Sequence, residues 1–215
     1  MTRRIPVIEI IDNAVQLVVT TGCGVWAGIL AFRRKSQRYA ILACFYGTFA
    51  LGLLYWLVYL VMNSYTPKIF YVSDLSWISS FLFLLMLNLS VTEKEERGFH
   101  PLAAMVVVAV LASLTAILMS YGDLLITLIW CSFLISSAYF STRGLLYARK
   151  QSRHGRRLQY LHVAILFFIF TEFTLWCISC YFKESTLENP YFWCDFVLTG
   201  AIFLLMPAMK KAVAA

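Results

Sequence analysis

The sequence has little charge, and this scarcity sets the first limit on its fold. Only 13% of the 215 residues are Asp, Glu, Lys or Arg, against about 25% in an ordinary soluble domain. Hydrophobic residues make up 61% and the mean hydropathy is +0.76. This composition excludes a soluble globular domain, because lipid must be the main solvent of such a chain. An integral membrane protein is therefore expected.

Long apolar stretches recur along nearly the whole chain. Each is long enough to cross a hydrocarbon core of about 30 Å as a helix. The predicted spans lie at about 13–32, 40–62, 69–91, 101–120, 123–147, 159–182 and 190–209. Helices are expected because lipid cannot pair free backbone groups, and because the stretches are too long for strands of a barrel. The predicted fold is an all-α membrane protein, with 1–215 as a single membrane domain of seven transmembrane helices.

Basic residues are concentrated in two of the predicted loops. One cluster follows the first span, and the other lies between the fifth and sixth spans: Arg33, Arg34, Lys35 and Arg38, then Arg143, Arg149, Lys150, Arg153, Arg156 and Arg157. Short loops rich in Lys and Arg stay on the cytoplasmic side. The sequence therefore predicts an outside N-terminus and an inside C-terminus in the cell membrane. The second cluster could also hold anionic lipid headgroups or dock a partner.

A weak duplication relates the two halves of the sequence. Trp56, Pro67 and Asp74 recur at similar spacing as Trp176, Pro190 and Asp195, and Phe-Leu-Leu-Met follows at 83–86 and at 203–206. A parallel repeat is predicted, with 1–91 as the first three-helix unit, 101–120 as a linker helix and 123–215 as the second unit. Parallel repeats place equivalent residues at equal depth.

Three acidic residues are expected within the apolar depth of the spans: Asp74, Glu172 and Asp195. Because a charge in lipid is costly, these side chains should point into the bundle. Aromatic residues on neighbouring helix faces, namely Tyr55, Tyr59 and Trp77, could complete an outer-half cavity for a cationic or hydroxyl-bearing small molecule. The alternative is that the two aspartates cap helix starts beside an ordinary aromatic belt. Both interpretations remain open at this stage.

Three of the six cysteines lie near the same predicted outer edge. Cys177 and Cys180 form a C-x-x-C sequence, and Cys194 begins the last span. They could form a redox pair, or Cys180 and Cys194 could form a disulfide. Buried free thiols are the third interpretation, since cysteine is a common apolar core residue.

Several kinds of site have no recognisable signal in the sequence. The histidines are remote from the outer acids and cysteines, so no metal site is expected. The sequence contains no glycine-rich phosphate loop and no Ser/His/Asp catalytic set. Its arginines lie beside membrane helices, without the soluble fold and the aromatic stacking surface that are typical of nucleic-acid binding. We therefore expect no cofactor, no nucleic-acid partner and no enzymatic activity, although the C-x-x-C sequence leaves enzymatic activity open.

One sequence pattern precedes a long apolar run: Gly52-x-x-x-Trp56, Pro67 and Ser73-Asp74-Leu75. This pattern resembles the multi-pass sensory regions found ahead of bacterial diguanylate cyclases and histidine kinases. The resemblance covers spans two and three, and less well six and seven. It implies a membrane-embedded sensor. Because only about six residues follow the last predicted span, an output domain would belong to a separate polypeptide. The arrangement of three, one and three spans is also similar to the sugar-transporter and PQ-loop class, although the Pro-Gln dipeptide is absent.

The function expected from these features is non-enzymatic. The chain should bind a small ligand in the outer-half cavity and signal through a partner protein. Two alternatives stay open: a small-solute carrier, and a structural or assembly subunit of a membrane complex.

Overall fold

The computed structural model describes residues 7–63, 71–92, 98–121, 124–148, 153–182 and 188–213. Within these residues the chain forms seven α-helices, each long and apolar enough to cross a membrane. They are α1 (Val7–Arg34), α2 (Gln37–Asn63), α3 (Tyr71–Val91), α4 (Pro101–Tyr121), α5 (Leu124–Ala148), α6 (Arg153–Tyr181) and α7 (Pro190–Val213). The predicted all-helical class and the number of spans are confirmed.

Two helices begin well before the predicted spans. The first starts at Val7 rather than at residue 13, and the sixth at Arg153 rather than at residue 159. Polar residues lower the local hydropathy of both starts, yet backbone hydrogen bonding continues through them. The last helix also continues past Pro207 to Val213, beyond its predicted end at residue 209.

The turn between α1 and α2 shows why these helices run antiparallel. Lys35 adopts a left-handed conformation with φ 47°, which ends α1. The N–H of Ser36 then donates to the carbonyl oxygen of Ala31 at 3.1 Å, the long bond of a Schellman motif. Because α2 begins at Gln37, the chain reverses within two residues.

Helix α1 buries its polar face and exposes its apolar one. The buried side chains are Asp12, Asn13, Gln16, Thr20, Cys23 and Ala27, which from Asn13 onwards are spaced three or four residues apart. The opposite face carries exposed hydrophobic residues, including Ile11, Val15, Val18, Val25 and Ile29. A helix in water has the reverse pattern. The exposed apolar face suits lipid, and the polar face must find its partners inside the bundle.

Six of the helices pack as a closed ring. Each neighbours the next in the order α1, α2, α3, α5, α6 and α7, and α7 closes the ring by packing on α1. Helix α4 lies outside the ring against α5 and α6. The chain therefore brings its first and last helices together, so residues far apart in sequence meet at the α1–α7 contact.

Aromatic rings fill the centre of this ring of helices. Phe168 of α6 contacts Phe45 and Phe49 of α2 and Phe81 of α3, with ring centroids between 5.5 and 6.3 Å apart. Phe81 also meets Trp130 of α5 at 5.8 Å. Because lipid is as apolar as these side chains, close packing rather than exclusion of water stabilises such a core. These contacts are spread over four helices.

The bundle has two chemically different ends. We call the end at which α1, α3, α5 and α7 begin the N-terminal end, and the opposite one the C-terminal end. The acidic residues with described side chains lie towards the N-terminal end: Glu9, Asp12, Asp74, Glu172, Glu188 and Asp195. The basic ones lie towards the C-terminal end: Arg33, Arg34, Lys35, Arg38, Arg143, Arg157, Lys210 and Lys211. Among the described side chains, charge is therefore strongly polarised along the bundle.

Candidate functional site

Four tryptophans from four helices meet towards the N-terminal end, and we call them the tryptophan cluster: Trp56 of α2, Trp77 of α3, Trp130 of α5 and Trp176 of α6. Their ring centroids are 6.1 Å apart for Trp56 and Trp77, 6.2 Å for Trp77 and Trp176, and 5.6 Å for Trp130 and Trp176. Tilted and edge-on pairs at such distances are favourable for aromatic rings. The cluster links the two halves of the ring of helices.

Three residues of the tryptophan cluster and Asp74 line one small cavity. Its volume is about 50 Å³. It is lined by Asp74, Trp77, Ile78, Leu118, Ile126, Thr127, Trp130 and Trp176. Asp74 is 9% exposed. A site that combines a carboxyl group with indole rings can attract cations, because the negative charge and the ring quadrupoles both favour them.

The position of the Trp77 indole ring depends on Gly52. A Cβ atom at Gly52 would lie 2.7 Å from Nε1 of Trp77, which is closer than real contacts allow. The glycine therefore lets the indole lie against the backbone of α2. Nε1 of Trp77 and Nε1 of Trp130 are both buried without an acceptor among the described residues. Such unpaired N–H groups in an apolar interior are costly.

A second polar group lies beside the cluster, and we call it the acid group: Glu9 and Asp12 of α1, Glu172 of α6 and Asp195 of α7. The indole N–H of Trp176 donates to Oε1 of Glu172 at 3.0 Å. Glu9 accepts a hydrogen bond from Trp56. The side-chain amide of Gln16 donates to Oδ1 of Asp195 at 2.8 Å. Two tryptophans of the cluster thus bond directly to carboxyl groups of the acid group.

The residues predicted as a site fall into three places. Asp74 and Trp77 share the cavity. Glu172 and Asp195, 4% and 3% exposed, belong to the acid group and are close enough to interact electrostatically. Tyr55 and Tyr59 are half-buried, contact each other with ring centroids 6.1 Å apart, and do not line the cavity.

The three cysteines singled out in the sequence are free thiols. Cys194 donates from Sγ to the carbonyl oxygen of Thr171 at 3.7 Å, which joins the start of α7 to α6. Cys177 and Cys180 lie one turn apart on α6 and are close enough to interact electrostatically. All three side chains are partly buried against the hydrophobic core.

Sequence reasoning missed several residues of the site. Glu9 and Asp12 were placed before the first span, and Gln16 was passed over although it lies within it. Their spacing, continued by Thr20 and Cys23, is the signal that could have found them, since it marks a polar face on an apolar helix. Trp130 was missed because nothing in its own segment shows that it meets tryptophans of other helices.

A larger cavity of about 670 Å³ lies towards the C-terminal end. It is lined by Ser36, Gln37, Arg38, Ile41, Met86, Leu89, Ser90 and Val213. No carboxyl group is among these lining residues, and it lies at the opposite end from the tryptophan cluster. The chemistry that recognises a cation is therefore concentrated at the smaller cavity.

No family model, curated protein or solved structure matches this chain.

Proposed function

We propose that the chain is a non-enzymatic membrane module that binds a small organic cation at the cavity beside Asp74 and passes its bound state to a partner protein. The observation that carries this proposal is the meeting of Asp74 with Trp77, Trp130 and Trp176 around one cavity. Aromatic faces with a carboxylate form the kind of site that holds ammonium groups.

The size of the cavity limits the class of ligand. Pockets for drug-sized molecules measure roughly 300–1,000 Å³, whereas about 50 Å³ holds only a few waters or one small cation. A cation of the size of methylammonium suits it, and a larger metabolite would require the tryptophans to separate. Because the cluster spans four helices, a guest that moved these rings would change how both halves of the ring of helices pack.

We propose that the protein lies in the cell membrane with its N-terminus outside and its C-terminus inside. The polarised charge supports this orientation, since basic residues keep to the cytoplasmic side. The cavity and the acid group would then lie in the outer half, where a ligand arrives from outside. A separate output protein would contact the cytoplasmic end of the bundle and respond to the bound state.

We also propose that the two halves are parallel repeats. If α1, α2 and α3 correspond to α5, α6 and α7, each observed contact within one unit has its counterpart in the other. The contact of α3 with α5 likewise corresponds to that of α7 with α1. Such an arrangement also suits a small-solute carrier, which is the second candidate function.

Binding is tested by tryptophan fluorescence of the purified protein in lipid vesicles, titrated with methylammonium and guanidinium against potassium at constant ionic strength. Four of the six tryptophans belong to the cluster, so the signal reports on it directly. We expect a saturable change that Asp74→Asn removes. The matched control is Glu188→Gln, which removes an exposed carboxyl group before α7 and should leave the titration unchanged.

The same vesicles separate the candidate functions. Guanidinium is used for flux because it stays charged and does not leak across lipid as a neutral base. Saturable binding without guanidinium uptake supports the sensory module, and binding with uptake supports the carrier. If neither cation alters the fluorescence of the wild type, the cavity has no such function, and copurification with other membrane proteins would favour an assembly subunit.

A further inference from the structure

Two carboxyl groups meet where the first and last helices pack together. Asp12 of α1 and Asp195 of α7 are 0% and 3% exposed, and their side chains lie at hydrogen-bonding distance. Neither carboxyl oxygen of Asp12 receives a bond from an N–H or O–H group of the described residues. Among the described residues, the buried carboxyl group of Asp12 therefore faces the carboxyl group of Asp195 and no N–H or O–H donor.

Among the described residues, no Lys or Arg side chain lies beside the pair. The titratable groups that interact electrostatically with the pair are Glu9 on α1, Glu172 on α6, and Tyr191 and Cys194 on α7. From α2, Trp56 bonds to Glu9, while Tyr46 donates to the carbonyl oxygen of Ile202 at 2.9 Å. Every Lys and Arg with a described side chain lies towards the other end of the bundle.

Ionised carboxyl groups only accept hydrogen bonds, so two of them cannot bond to each other. Side by side in a medium of low dielectric constant they repel strongly, and one of the pair then keeps its proton. Among the described residues there is no group of three or more His, Cys, Asp or Glu side chains placed to hold a metal ion. A proton is therefore the cation that best joins this pair.

Gln16 indicates which aspartate carries the proton. Its amide donates to Oδ1 of Asp195 at 2.8 Å, one turn along α1 from Asp12. It also approaches the hydroxyl oxygen of Thr199 at 3.3 Å. Because a donated N–H bond favours the ionised form of a carboxyl group, Asp195 is the acceptor and Asp12 the donor.

We propose that Asp12 and Asp195 form a proton-binding site that fastens α1 to α7 and so closes the ring of helices. The O–H of Asp12 donates to the carboxylate of Asp195, and loss of this proton leaves two negative charges in contact. Deprotonation then weakens the α1–α7 contact. This inference goes beyond the binding of an organic cation at Asp74, and neither depends on the other.

The first test is infrared spectroscopy of the full-length protein in potassium buffer, with aspartate labelled by ¹³C at the carboxyl carbon. A protonated aspartic acid absorbs at a different frequency from an aspartate. At neutral pH we expect a protonated band in the wild type that disappears in both Asp12→Asn and Asp195→Asn. It should persist in Asp74→Asn, the control that removes a buried aspartate from another helix.

The second test is the midpoint of thermal unfolding as a function of pH. The folded protein would bind one proton more than the unfolded chain near neutral pH, so its stability should fall as the pH rises. We expect a drop of several degrees towards alkaline pH for the wild type. Asp12→Asn should respond much less, because its amide N–H replaces the proton as the donor to Asp195.

Three results would overturn the inference. One is a wild-type spectrum at neutral pH in which all aspartates are ionised; this measurement decides even if the variants fail to fold. Another is a band that only Asp74→Asn removes. The third is stabilisation of the wild type, but not of Asp12→Asn, when sodium replaces potassium at alkaline pH, which would mean that a sodium ion and not a proton joins the pair.

Discussion

Gly52 illustrates how one missing side chain positions an indole ring. Nε1 of Trp77 lies 2.7 Å from where a Cβ atom on Gly52 would be, so Gly52→Ala must push Trp77 away from α2. We expect this variant to lose about 1–3 kcal/mol of stability through overpacking and to shift the tryptophan emission. Fluorescence and thermal unfolding in detergent measure both effects.

The same helix provides the control. A Cβ atom at Gly47 would meet nothing within 4 Å, so Gly47→Ala should leave the emission unchanged. It should be neutral or slightly stabilising, because alanine favours a helix by roughly 0.5–1 kcal/mol over glycine. Equal effects of the two substitutions would mean that Trp77 does not rest on Gly52.

Two substitutions at Glu172 separate the effect of its side-chain shape from the effect of its charge. Glu172→Gln keeps an oxygen that accepts the N–H of Trp176, so the fold should survive while the response to methylammonium changes. Glu172→Leu leaves that N–H without an acceptor, and we expect a loss of about 1–3 kcal/mol. Unfolding and fluorescence titrations of both variants test this. Wild-type behaviour of both would show that Glu172 has neither a structural nor a binding function.

At the scale of the element, Asn88 joins α3 to α5. Its side-chain N–H donates to the carbonyl oxygen of Ser137 at 3.1 Å, and the hydroxyl of Ser141 donates to its Oδ1 at 3.0 Å. Bonds between helices in lipid contribute about 0.6 kcal/mol on average, and up to about 2. Asn88→Leu should therefore destabilise by about 1 kcal/mol in reversible unfolding. Ser90→Ala, which loses only a bond to Leu87 of its own helix, should cost less.

The helices also show how far the sequence determines the fold. Spans two to five were predicted to within a few residues of the helices α2, α3, α4 and α5. The start of α1 was not, since Glu9 and Asp12 resemble a polar tail. Only the packing of α7 against this face shows that Asp12 and Gln16 are buried within the ring of helices.

The candidate site could be predicted only in part for the same reason. Asp74 and Trp77 share a helix face, so the sequence alone brings them together. Trp130 and Trp176 meet them through the order in which helices pack, which single-segment hydropathy does not reveal. Tyr55 and Tyr59 lie on α2, as Trp56 does, yet they contact each other rather than line the cavity.

At the scale of the whole molecule, the proposed orientation makes a prediction about accessibility. In a background without the native cysteines, Ser36→Cys and Ser152→Cys should react with an impermeant thiol reagent only after cells are opened. Ser64→Cys and Ser185→Cys should react in intact cells, because they follow the ends of α2 and α6, which lie away from the basic clusters. Ser64, Ser152 and Ser185 lie outside the described residues. Labelling of Ser152→Cys from outside would reverse the orientation.

The aromatic centre of the ring of helices has a kinetic consequence. Phe45, Phe81 and Phe168 are completely buried there, and their rings touch across the axis. A solute could move along that axis only when several packed rings rotate together. This rotation would have to be repeated for every molecule that crosses. Any transport would then proceed by single turnovers rather than as a stream of ions. Recordings from planar bilayers should accordingly show no unitary current steps, even where radiolabelled guanidinium accumulates slowly in vesicles.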